Sequence, residues 1–414
     1  MNDELKRRLA LIFGFAFIDV LGYSLILPLL PYYAETFGAS PTLIGLLGTV
    51  NAIGKLIAAP TVGRLSDRYG RRPLLLISIA GTVVSFVLLG AAQSLLVLFI
   101  SRILDGVVGG NISLARAYIT DITDEENRAR GLGIIGAAFG IGFVIGPVMG
   151  GILSGMGGYD FPAYIAAGLA LLNLVAVALW LPESLTDETK AKLREDPKTR
   201  FSFGMLIETL QRPCVGTLFH IRLVFALAFM LFQANFSLYT KTHLGLTARM
   251  TSYVFAYVGL SAALVQGVAI GKLTDRFKER PLIFAGTLIL AGALLAWAFV
   301  PNVWLLLVVL APIALAVGIL NTMISSQLTK VVPPEETGGT LGLSDSMRTL
   351  AQIIAPVSGG ALIGNVGTWS VGVLGALLMA WTASYTRRHL LNKPEVYENC
   401  RARPGNTVNA PSEA

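Results

Sequence analysis

Charge is scarce in this sequence. Charged residues make up 14% of it, where a soluble globular domain carries roughly 25%, and that shortfall excludes an ordinary soluble fold. Histidine and cysteine are scarcer still. His220, His243 and His389 are scattered, and Cys214 and Cys400 are the only cysteines. No Cys–His metal spacing is present, so neither a metal centre nor a cofactor is expected. Both cysteines fall in stretches assigned below to the cytoplasm, so no disulfide is expected. No enzyme constellation and no phosphate-loop sequence occurs, which argues against catalysis and against ATP as a drive.

What is abundant is apolar. The chain is 54% hydrophobic with 44 glycines, and its mean hydropathy is +0.67. About 20 apolar residues cross a bilayer. On that criterion twelve segments qualify: 9–33, 42–62, 74–93, 95–119, 131–155, 160–181, 216–240, 248–270, 281–300, 302–327, 338–364 and 366–386. The opening Lys6-Arg7-Arg8 imitates a signal peptide, but the apolar run continues past Pro28 without a convincing cleavage site, so it reads as the first span. The net charge of +7 does not point to nucleic acid. Lys and Arg gather in alternate inter-helix links and at the two ends, while links on the other side carry only Lys241 and Arg249. That asymmetry places both termini in the cytoplasm of a plasma membrane, most simply a bacterial inner membrane.

The densest link is Gly63-Arg64-Leu65-Ser66-Asp67-Arg68-Tyr69-Gly70-Arg71-Arg72-Pro73. A degraded copy, Gly271-Lys272-Leu273-Thr274-Asp275-Arg276-Phe277-Lys278-Glu279-Arg280-Pro281, follows 208 residues later. Gly146-Pro147-Val148-Met149-Gly150-Gly151 is echoed by Ala355-Pro356-Val357-Ser358-Gly359-Gly360 at an offset of 209. The chain is therefore duplicated: a six-helix half in 1–182, a cytoplasmic link in 183–215, a second half in 216–389, and a polar tail in 390–414 expected to be disordered. Within the link, Phe201, Phe203, Leu206, Ile207 and Leu210 fit one apolar helical face on the inner leaflet, or a plain linker.

These residues resemble the major facilitator superfamily over nearly the whole chain. Gly63–Pro73 is similar to its loop signature; Leu98, Arg102, Gly106 and Gly109 to its fourth-helix pattern; Gly142, Gly146, Pro147, Gly150 and Gly151 to its antiporter fifth-helix signature. Asp19, Gly22, Pro28 and Pro31 are similar to the first helix of twelve-helix drug:proton antiporters, and Ala117–Thr123 resembles the tetracycline-efflux branch. Asp105 stands where the fourth-helix pattern is usually uncharged, and Glu279 replaces the counterpart of Arg71. The resemblance implies an all-α membrane fold of two pseudo-symmetric halves. It also implies that Asp67, with Gly63, Arg68, Gly70, Arg71, Arg72, Asp275 and Arg276, belongs to a conformational latch whose carboxylate meets the start of the eleventh helix, and that the fifth-helix glycines seal the cavity. A carboxylate at a helix N-terminus gains about 0.3–1 kcal/mol.

The residues themselves point to chemistry in the first half. Asp19 lies about ten residues into its span, hence about 15 Å deep, where a carboxylate is costly and by default functional. Asp105 is about as deep, with Arg102 three residues away on a neighbouring part of one face. An Asp19–Arg102–Asp105 cluster favours one bound proton or cation. Lys55 and Asp345 are each about 10–12 Å inside their helices and form a candidate inner gate pair, with Arg348 competing for Asp345. Asn51, Asn111, Phe232, Gln233, Asn235, Gln266 and Asn321 are candidates to line a substrate cavity. Aromatic walls with a few amides suit amphipathic ligands.

The reading is a monomeric secondary transporter in the lipid bilayer, a proton-coupled antiporter exporting small amphipathic compounds by alternating access. A metabolite facilitator or symporter of the same fold, and a non-transporting membrane sensor, are the alternatives.

Overall fold

The computed structural model describes residues 3–186, 212 and 214–392. Among them every regular element is helical. The expected apolar face at 201–210 and the expected tail beyond residue 392 lie outside the described residues, while Arg387–Leu391 forms a π-helical turn.

The first expected span is cut short by its prolines. Helix α1, Asp3–Ile26, ends before Pro28, and α2, Leu30–Thr36, restarts with Pro31 near its N-terminus. Proline lacks the N–H an internal turn needs and restricts the residue before it. Helix α3, Pro41–Tyr69, starts on the Ser40 side chain, which accepts from the Leu43 N–H. It stops at Gly70, whose φ of +110° suits glycine alone. Helix α4, Arg71–Gly90, follows at once.

The fourth expected span is not continuous. It comprises α5, Leu95–Val107, and α6, Asn111–Ile122. Between them the amides of Gly109 and Gly110 turn back to the carbonyls of Gly106 and Val108, and the Val108 carbonyl accepts 2.6 Å from Ser78 Oγ. A Cβ at Gly106 would lie 2.5 Å from the Asn51 carbonyl oxygen, so α3 and α5 touch through backbone here. The break seats Asn111 at the start of a new helix.

Helix α7, Glu125–Gly157, has 33 residues and is about 50 Å long. Asp124 caps it through the Asn127 N–H at 2.8 Å. Helix α8 is Asp160–Trp180. Next come α9, Val215–Leu244, and α10, Ala248–Leu264, which passes through a π-helical turn, Val265–Ala269, into α11, Ile270–Arg276. The chain continues through α12, Glu279–Ala298, α13, Val303–Val331, α14, Pro334–Asn365, and α15, Trp369–Thr386.

Ten helical stretches, counting α5 with α6 and α10 with α11, are long and apolar enough to cross a membrane. Helices α14 and α15, 32 and 18 residues long, occupy the eleventh and twelfth expected segments and are less apolar. Ile77, Leu96, Leu172, Leu179 and Val308 are exposed, as lipid-facing positions are.

Two compact units are present. One comprises residues 1–200 with 240–260, the other 201–239 with 261–414. The first is built round Tyr118, packed with Ile12, Phe15, Leu75, Ile79, Ile135 and Val177, its hydroxyl donating 2.8 Å to the Pro182 carbonyl. The second has an aromatic core in which Phe232 meets Trp297 edge-on at 4.8 Å and Tyr239 donates 2.6 Å to the Trp297 carbonyl. One expectation is corrected: Cys214 is disulfide-bonded. The chain's other cysteine lies outside the described residues. Sequence position suggests a compartment and does not say whether two sulfurs meet.

Candidate functional site

In the first unit, the break between α5 and α6 brings Asn111 to Asp19. Its Nδ2 donates to Asp19 Oδ1 and lies 3.3 Å from Thr82 Oγ1. Asp19 is half-buried and Asn111 is buried. Asp105 and Lys55 are the charges close enough to act on Asp19. Lys55 sits 4.6 Å over the Tyr23 ring, and its Cε is 3.1 Å from where a Cβ on Gly109 would be.

Asp105 is held from two sides. Asn51 Nδ2 donates 2.8 Å to its Oδ2 and also 2.9 Å to the Arg102 carbonyl. The Arg102 guanidinium is 3.7 Å from the same oxygen, with Ser85 and Ser101 at its edge and the Phe86 ring 5.9 Å away. Arg102 and Asp105 therefore form a buried ion pair braced by Asn51. Asp19 stands next to that pair with an amide as its direct partner and Lys55 as the cation acting on it. The arrangement places the buried Arg102–Asp105 pair beside the half-buried Asp19 and Lys55, and carboxylates so coupled suit capture and release of a proton.

At the signature turn, Arg71 is the hub. It pairs with Asp67 at 2.5 Å and with Asp121 of α6 at 2.9 Å, and donates to Ser66 Oγ. Glu183 arrives from beyond α8 and accepts from the backbone N–H groups of Arg71 and Arg72 at 2.9 and 3.2 Å. Gly70 supplies no side-chain cap, so Glu183 satisfies the start of α4 from a distant part of the chain. Arg72 reaches the Ala178 carbonyl, Arg68 lies 5.4 Å over Tyr69, and Gly63 faces open space. Asp121 falls in the Ala117–Thr123 stretch noted in the sequence but was given no role there, and Glu183 was not singled out. Asp121 is 50 residues from Arg71 and Glu183 is 112 residues away, and no local spacing signals either.

The fifth-helix glycines divide between two neighbours. A Cβ at Gly142, Gly146 or Gly150 would press on α1 at Val20, Ser24 or the Leu25 carbonyl, and Ser24 Oγ donates 2.9 Å to the Gly142 carbonyl. Gly151 instead faces Ser252 of α10. Pro147 lies inside this helix. A further cluster unmarked by sequence patterns joins Glu35 to Lys241, with Lys241 5.0 Å over the Tyr32 ring. The Tyr32 hydroxyl donates 2.8 Å to the Leu246 carbonyl.

In the second unit, Arg222 is buried and donates 2.6 Å to Asn321 Oδ1. Asp345 and Arg348 are exposed and close enough to act on it. Lys55 and Asp345 thus belong to different units. Phe232 and Asn235 take part in helix packing: Asn235 donates 3.2 Å to the Ala355 carbonyl and lies against Gly359. Gln233 is half-buried, and Gln266 is exposed within the π-helical turn. Asp275 and Arg276 are exposed at the end of α11.

Sequence comparison agrees with this architecture. The Major Facilitator Superfamily model matches residues 12–236 and 218–406. The tetracycline resistance protein, class C, of Escherichia coli is 30% identical over 89% of this chain and 94% of its own length. Solute carrier family 22 member 18 of Rattus norvegicus is 29% identical over 84% of each chain. Multidrug resistance protein 2 of Bacillus subtilis is 28% identical over 87% of this chain and 90% of its own. Among solved structures, a bacterial homologue of the human lysosomal transporter Spinster aligns with a TM-score of 0.73 at 17% identity over 100% of both chains. The human organic anion transporter MFSD10 aligns with a TM-score of 0.68 at 21% identity over 93% of this chain and 100% of its own. With that match covering both repeats, and with the duplicated turns and apolar helices above, the chain belongs to the major facilitator superfamily and is a multi-pass membrane transporter.

Proposed function

We propose that this transporter is a proton-coupled antiporter that exports small amphipathic compounds of the tetracycline or multidrug kind. The observation that carries the reading is Asp19, a carboxylate within a membrane span, bonded to the Asn111 amide and set beside Asp105 and Lys55. Such a group is expensive in a bilayer unless it has work to do. It takes a proton from outside and yields it inside, and substrate competes with that proton. Similarity to tetracycline and multidrug resistance proteins supports the substrate class. Residues 1–182 and 216–389 act as the two halves of an alternating-access cycle, joined by 183–215. The distribution of Lys and Arg supports a bacterial inner membrane with cytoplasmic termini, and the family resemblance suggests a monomer.

The test uses purified protein in liposomes under an imposed pH gradient. Proton movement is followed while tetracyclines, cationic dyes and neutral drugs are added, with wild type beside Asp19→Asn. Substrate-dependent proton flux in wild type that disappears in Asp19→Asn is the expected result. Substrate flux without proton movement supports a facilitator instead, a reading that the likeness to a solute carrier keeps in play. No flux for any compound removes the export reading.

A further inference from the structure

Arg102 in the first unit and Arg222 in the second are both buried within apolar helices, and the two are satisfied differently. Arg102 has a carboxylate, Asp105, at 3.7 Å. Arg222, 6% exposed, makes no ion pair among the described residues. Its Nη1 donates to the neutral Asn321 amide at 2.6 Å, and its Nε is buried without any partner. Nη2 makes no hydrogen bond among the described residues and is not enclosed as Nε is. Nη2 is therefore the donor of this guanidinium left for a ligand, with Nε an unpaired buried donor beside it.

Arg348 and Asp345 of α14 are the charges that act on Arg222. Arg222 lies seven residues into α9, about 10 Å from that helix end, and Asn321 lies about 15 Å from the end of α13. Asp345 and Arg348 are exposed, and charges at such depth face water-filled space rather than lipid. A neutral donor would tie α9 to α13 through Asn321 as well as an arginine does, without the several kcal/mol needed to desolvate a cation. Beside the guanidinium stand Phe225, 5.8 Å away, and Phe229, stacked on Phe225.

We infer that Arg222, braced by Asn321, is an anion-recognition subsite, and that the compounds it takes pair an anionic oxygen group with an apolar aromatic body. The carboxylate docks on Nη2 of Arg222, and the body lies along the half-buried Phe229, which Phe225 backs. The inference rests on the export reading for its place in a transport cycle, and on Arg222 alone for its chemistry.

The experiment is equilibrium binding of 2-naphthoate and its methyl ester to the purified full-length chain. The proteins are wild type, Arg222→Lys, Arg222→Gln and Asn321→Ala, each checked by thermal unfolding. Wild type should prefer the anion to the ester by about tenfold or more. Arg222→Gln should abolish the preference, Arg222→Lys should retain part of it, and Asn321→Ala should reduce it, with ester binding unchanged throughout. If Arg222→Gln fails to fold, the lysine and Asn321 variants carry the test. Equal binding of anion and ester by wild type overturns the inference, and so does an anion preference that survives in every variant that folds. The liposome assay separates the two proposals. Proton antiport of cationic or neutral drugs with no anion preference leaves the export reading standing and this subsite rejected. Anion binding through Arg222 without proton flux does the reverse.

Discussion

Glu279 at the start of α12 accepts a 2.6 Å hydrogen bond from Lys330 near the end of α13. The corresponding positions of the first repeat are Arg71 and Asp121, joined at 2.9 Å. The two repeats make the same tie with the charges exchanged. Glu279 also accepts from Ser326 and Gln327. What reads in sequence as decay of the signature is a compensated replacement.

This relationship predicts reciprocal rescue. Glu279→Lys or Lys330→Glu alone should lower thermal stability by roughly 1 kcal/mol, since the pair is half-exposed and screened. The double variant should recover most of that loss. Additive losses in a double-mutant cycle would show that the two side chains do not interact.

The two glycines at either end of the signature turn should behave oppositely. At Gly70, φ is +110° and a Cβ would lie 2.3 Å from Glu183 Oε2. Gly70→Ala should therefore cost about 1–3 kcal/mol. Gly63 is helical with open space around it, and Gly63→Ala should stabilise by up to about 1 kcal/mol. Thermal unfolding of the two variants in detergent decides it, and equal destabilisation would refute the distinction.

Asn51 is the brace of the Arg102–Asp105 pair. Asn51→Leu removes the 2.8 Å donor to Asp105 and the 2.9 Å donor to the Arg102 carbonyl. A loss of about 1–3 kcal/mol is expected from leaving a buried acceptor unsatisfied. Asn51→Ser, which keeps a donor, should lose less. The measurement is again thermal unfolding, and identical losses would rule out a hydrogen-bonding role.

The start of α7 should loosen in acid. Hydrogen bonds from the backbone and side chain of Asn127 hold the Asp124 carboxyl below its ordinary value. A carboxylate so depressed stabilises the cap above its unfolded pKa, and the contribution is lost as pH falls through the lower folded value. Relative to its intrinsic rate at each pH, amide exchange at Asn127 and Arg128 should therefore accelerate at acid pH in wild type. In Asp124→Asn, a capping residue that does not titrate, that acceleration should vanish. Its persistence would place the titration elsewhere.

Much was legible from composition and repetition. The membrane class follows from scarce charge, the repeat from Gly63–Pro73 and its copy, and the place of Asp19 inside a long apolar helix from the run of residues around it. These are local or one-dimensional signals. Other features were hidden because they join residues far apart. Nothing near Arg71 points to Glu183, and nothing near Lys55 points to the Tyr23 ring. Counting apolar residues could not show the interruption at Val108–Gly110, because a helix that breaks inside a bilayer keeps the same hydropathy.

Sequence by itself determined the class of molecule, the duplication, and which charges fall inside apolar helices. Those follow from transfer costs that act on each residue alone. Tertiary structure decided the partners: Asn111 for Asp19, Asn51 and Arg102 for Asp105, Lys330 for Glu279, and a neutral amide for Arg222. A hydrogen bond or ion pair depends on distance and direction between separate helices. Packing fixes both, and no stretch of sequence contains them.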